Sequence, residues 1–113
     1  MSYLLYFKDI YENEILNPRI KDLEKAVASL KNNSGNFLTY ESTPSINRVQ
    51  VIQATDYDGD FVHAEVLVEG SVDPDVIRAY GRRMTVESLL AMLIDFKDGL
   101  TPDIEGWEMV WSN

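Results

Sequence analysis

Bulky residues alternate from Tyr3 to Asp9, with Tyr3, Leu5 and Phe7 on one side and Leu4, Tyr6 and Lys8 on the other. Apolar residues at both phases of a two-residue period predict a first strand buried on much of both faces. The period then changes. Ile20, Leu23, Val27 and Leu30 recur at spacings of three and four with Ala26 beside them, which predicts a helix turning one stripe toward a core. Asn17-Pro18 predicts its start, because an Asn side chain accepts a hydrogen bond from an orphan amide and Pro at the first helical position sacrifices none. Asn32-Asn33-Ser34-Gly35 predicts its end, since Gly and Asn tolerate the left-handed conformation that closes helices.

Beyond that point β-branched and aromatic runs cover Asn36 to Glu41, Arg48 to Thr55 and Phe61 to Glu69, separated by turn residues, and predict a three-strand meander. The strongest local signal is Asp56-Tyr57-Asp58-Gly59-Asp60, whose Asp-Gly pair suits a tight hairpin. In Phe61 to Glu69, Val62, Ala64, Val66 and Val68 share one face while His63, Glu65 and Glu69 share the other, so one side packs and the other meets water. Asp73-Pro74-Asp75 reads equally as a turn or as the cap of a short helix through Tyr80. Thr85 caps a second helix, with Glu87 in its electropositive first turn and a wide stripe of Val86, Leu89, Leu90, Leu93 and Ile94; Gly99 stops it. Trp107, Met109 and Trp111 alternate with Glu108 and Val110 as a closing strand with one aromatic face.

The predicted fold class is α+β: one domain over residues 1–113, with two main helices on a mostly antiparallel sheet of about five strands. Its order is β-α-β-β-β-(short)-α-β. A chain of 113 residues with 45% hydrophobic positions supports one core and no second domain. The opening residues lack a basic lead and a signal-like apolar core, and no run approaches a membrane span, so a cytoplasmic protein is expected.

Composition removes most chemistry. No cysteine and a single histidine exclude disulfides, thiolate nucleophiles and cysteine metal sites, and leave His-based triads almost no material. The glycines are too scattered for a phosphate-binding loop. Three acids within Asp56–Asp60 invite a calcium reading, but the twelfth residue from Asp56 is Leu67 where such a loop needs glutamate. Neither a catalytic site, nor a metal, nor a cofactor is therefore expected.

Charge is more informative. Ten Lys and Arg oppose 19 Asp and Glu, for a net charge of −9. Residues 1–35 hold five of each sign, so the entire excess belongs to residues 36–113. Such a field disfavours nucleic acid and anionic membranes as partners and steers a basic protein. The exposed acids expected to meet it are Asp56, Asp58 and Asp60 on the hairpin and Glu69, Asp73 and Asp75 further on, with Tyr57 as an aromatic anchor.

The stretch from Met84 to Pro102, ending near Trp107, resembles the C-terminal signature of an immunity-protein family from bacterial polymorphic toxin systems, one often encoded beside deaminase-type toxins. Phe96, Gly99, Pro102 and Trp107 look like its characteristic positions, while Leu100 and Thr101 stand where the family tends to have a basic residue. The resemblance implies a non-catalytic inhibitor, monomeric or weakly dimeric, that binds one cognate toxin domain, a deaminase or a nuclease. A phage-encoded acidic inhibitor of a host nuclease is the alternative of the same class, and a small carboxylate-dependent enzyme the alternative of another.

Overall fold

A computed structural model describes residues 1–33 and 35–113; Ser34, within the predicted helix stop, lies outside the described residues. The chain runs β1 (Ser2–Lys8), β2 (Glu12–Leu16), α1 (Ile20–Ser29), β3 (Leu38–Ile46), β4 (Val49–Asp58), β5 (Phe61–Glu69), β6 (Ile77–Thr85), α2 (Val86–Lys97) and β7 (Glu108–Ser112). The fold is α+β, and all seven strands form one antiparallel sheet in the order β2-β1-β3-β4-β5-β6-β7. Two strands beyond the expected five account for the difference. β2, Glu-Asn-Glu-Ile-Leu, carries too few apolar residues to register as a strand, and it forms because it pairs back on β1 through a tight turn. In that turn the Asp9 carboxylate accepts hydrogen bonds from the Tyr11 amide (2.7 Å) and the Asn13 side chain (3.1 Å). The Tyr11 amide in particular holds the Asp9 carboxyl below its ordinary range.

The segment read as turn or short helix also resolves. Asp73-Pro74-Asp75 is a turn, with the Asp75 amide donating to Asp73 Oδ1 at 3.0 Å, and Ile77–Thr85 is a strand paired along the whole of β5. The hairpin between β4 and β5 is tighter than predicted. Asp58 pairs with Phe61, so the loop is Gly59-Asp60 with positive φ at Gly59, and Asp56 occupies a left-handed position in a bulge.

The helices begin and end by different devices. Asn17 does not cap α1; its side chain instead accepts from the Tyr3 amide at 2.9 Å. The cap position is Arg19, whose amide donates to Asp22 Oδ2 at 2.8 Å. At the other end the Asn36 side chain, buried, donates to the Ser29 carbonyl at 2.8 Å. Thr85 caps α2 as expected, accepting from the Ser88 amide at 3.1 Å, and Gly99 at φ +84° ends it.

Both helices cover the same face of the sheet. Leu23, Ala26, Val27 and Leu30 of α1, with Leu89, Leu93 and Phe96 of α2, meet Leu5, Phe7, Leu38, Tyr40, Ile52, Val62, Ala64 and Val66. Ile20, expected in the stripe, is 47% exposed because it precedes the turn that touches the sheet. Within the core Tyr40 stacks on Tyr3 at 5.3 Å and meets Phe96 edge-on at 5.8 Å, while the Tyr3 hydroxyl donates to the Phe96 carbonyl at 2.8 Å. Among the described residues the other face carries no helix, so β1 is buried on one side only: Leu5 and Phe7 are enclosed and Leu4 is 38% exposed.

Candidate functional site

Register determines what the uncovered face presents. Paired residues of an antiparallel sheet point the same way, so a row can be followed strand by strand. One row runs Leu16, Leu4, Glu41, Val51, Leu67, Ala79, Trp111. The next runs Glu14, Tyr6, Thr39, Gln53, Glu65, Gly81, Glu108. A row that is apolar except for Glu41 therefore lies alongside a mostly polar one.

In the polar row, Gln53 Nε2 donates to Glu65 Oε1 at 2.7 Å, and His63 Nε2 lies 3.0 Å from Glu65 Oε2. The Glu65 side chain retains 16% exposure and that of His63 34%. His63 faces Arg83 across the β5–β6 ladder, and the Arg83 guanidinium is 4.2 Å over the Phe61 ring. Thr39, Gln53, Thr55, His63 and Glu65 line a shallow recess of about 250 Å³ walled by Phe37, which is 40% exposed. The volume falls below the roughly 300–1,000 Å³ of pockets that enclose small molecules. It has room for one side chain.

The acids expected to meet a basic partner occupy two separate places. Asp56, Asp58 and Asp60 belong to the β4–β5 hairpin, whereas Glu69, Asp73 and Asp75 lie at the far end of β5. At roughly 3.3 Å per residue, nine strand residues hold the groups about 25 Å apart. Asp56, Asp58, Asp60, Asp73 and Asp75 are exposed and Glu69 is half-buried. Tyr57 is half-buried and packs against the core. The pairing of His63 and Glu65 was missed; two residues on one face of a strand are always near neighbours, but the contribution of Gln53 depends on strand register.

Three of the four positions carrying the family resemblance have structural roles. Phe96 is fully buried, Gly99 ends α2, and Trp107 packs half-buried against the core just before β7. The predicted aromatic face of the last strand is split by a bulge. Met109 pairs with Tyr80 on the helix side, and Trp111 pairs with Ala79 on the open side, 43% exposed.

Among the described residues, no carboxylate has a Lys or Arg side-chain nitrogen within 4.0 Å, and the one histidine–carboxylate contact is His63 with Glu65. No three His, Asp or Glu side chains among them gather closely enough to hold a metal. Among the described residues, no helix is long and apolar enough to cross a membrane. Comparison with protein families, with characterised proteins and with solved structures finds no match to this chain.

Proposed function

We propose that this chain is a non-catalytic immunity protein, acting in the cytoplasm of a bacterium, that binds a cognate toxin domain and blocks its cationic substrate groove. The single observation that carries the reading is the state of its carboxylates. Nineteen acids face ten bases, yet none of the described carboxylates is paired with Lys or Arg. A field of that sign, uncompensated by close cations, steers a basic partner and repels phosphate backbones. The resemblance around Phe96, Gly99 and Trp107 supports the same reading. A deaminase or nuclease domain, whose substrate is a polyanion, supplies the complementary charge.

The test has two steps: the adjacent upstream gene is expected to encode a secreted protein with a C-terminal toxin domain, and this chain is then co-expressed with that domain. A stable complex is expected, toxicity of that domain is abolished, and affinity falls about tenfold or more between low and physiological salt. Unrelieved toxicity, or a chain that does not co-purify with the domain, overturns the reading.

A further inference from the structure

We infer that the recess beside Glu65 is a socket for an arginine side chain of the partner protein, an inference that rests on the immunity reading above. Glu65 is a carboxylate at the centre of the sheet, held on both oxygens by Gln53 Nε2 at 2.7 Å and His63 Nε2 at 3.0 Å. A carboxylate accepts about four hydrogen bonds, so each oxygen keeps a free acceptor site. Its position is fixed and mostly desolvated, which strengthens what it offers to a cation. Phe37 stands at the wall with 40% of its surface exposed; its ring packs on that of Tyr6 at 5.4 Å, and the exposed part is aromatic surface for a planar cation. Arginine matches both features, because its guanidinium forks onto a carboxylate and stacks on an aromatic ring, whereas the lysine ammonium does neither as well. The molecule already uses this contact next door, where Arg83 covers Phe61.

The surroundings favour a basic protein over a second copy of this chain. On the open face Glu12, Glu14, Glu41, Glu65, Glu69 and Glu108 oppose only Lys8 and Arg83, so two such faces repel one another. The neighbouring row of Leu4, Leu16, Val51, Leu67 and Trp111 supplies apolar area to bury around the socket. Both sheet edges are closed to strand addition by simple means: β2 by Glu12 and Glu14, and β7 by its bulge. The face, and not an edge, is the surface left for docking.

The experiment compares wild type, Glu65→Gln, Phe37→Ala and the paired Asp58→Asn/Asp60→Asn variant for binding to the toxin domain encoded beside the gene, by surface plasmon resonance, with thermal unfolding measured in parallel. Glu65→Gln keeps the shape of the side chain and removes its charge; the amide that replaces one oxygen is a donor, which His63 meets by presenting Nε2 as an acceptor. It is expected to raise the dissociation rate by about 30-fold or more at unchanged melting temperature, and Phe37→Ala is expected to do so by about tenfold. Replacing the toxin's arginines singly by lysine identifies the one whose loss is no longer felt in the Glu65→Gln background. If wild type binds while both recess variants bind equally well, the socket is refuted and the immunity reading stands. If wild type fails to bind, both fall.

Discussion

A methyl group on Gly81 would stand 2.8 Å from Cε1 of His63, so the imidazole lies directly against the bare backbone of β6. The same methyl would meet Val110 Cγ2 at 3.0 Å. Gly81 is needed for this close approach, since its φ lies outside the left-handed region. Gly81→Ala is therefore expected to push His63 off Glu65 and to destabilise the fold by about 1–3 kcal/mol. Urea denaturation checks this, and His63→Ala in the same background should restore part of the loss. An additive double-mutant cycle would refute the contact.

Tyr40 is fully buried, and its hydroxyl has no hydrogen-bond partner among the described residues. Burial, then the nearby Tyr3 and Asp98, holds its phenol well above the ordinary value of about 10. With the folded-state value raised, the native chain keeps a proton that the unfolded chain releases above about pH 10, so stability is intact below that pH and falls as pH rises past it. Tyr40→Phe should flatten this alkaline slope. At neutral pH it should leave stability unchanged or raise it by up to about 1 kcal/mol, because an unsatisfied buried hydroxyl is removed. A clear destabilisation on urea titration at pH 7 would mean that the hydroxyl is satisfied.

Thr85 closes β6 and opens α2, and its Oγ1 accepts from the Ser88 amide at 3.1 Å. Thr85→Ala is expected to cost about 1 kcal/mol, while Thr85→Ser keeps the oxygen and should cost little. Equal losses in the two variants would point to the methyl group and not to the cap.

Elements with a strong local pattern were legible in the sequence, and those formed by pairing were not. The Leu23, Val27, Leu30 stripe, the Val62-Ala64-Val66 face and the Thr85 and Gly99 helix signals each carry their structure within a few residues, and each forms as predicted. β6 reads badly because its alternation is inverted. Arg78 and Arg82 share the helix side, where they remain exposed, while the small Ala79 and Gly81 are buried on the open side beneath Trp111 and His63. β2 is an acidic edge strand whose only support is β1. The candidate site was half legible: His63 and Glu65 fall on one face by period two, but Gln53 and Phe37 arrive through the register of β3 and β4, which no local pattern encodes. The charge excess was readable as a number, and so was its division between the two ends of β5, because the strand Phe61–Glu69 forms with its predicted bounds.

That division yields the last prediction. The hairpin acids Asp58 and Asp60 are exposed and carry no cationic partner among the described residues, so under the proposed function they are expected to act on an approaching basic protein through the long-range field. Glu65 is mostly enclosed and acts only on contact. Reversing Asp58 and Asp60 to Lys should lower the association rate with the cognate toxin domain several-fold at low salt, leave the dissociation rate nearly unchanged, and lose its effect as salt shortens the Debye length from about 30 Å at 0.01 M to about 8 Å at 0.15 M. Glu65→Gln should instead keep its effect across the salt series. Stopped-flow association over that range separates the two, and a salt-independent loss at the hairpin would make Asp58 and Asp60 contact residues in their own right.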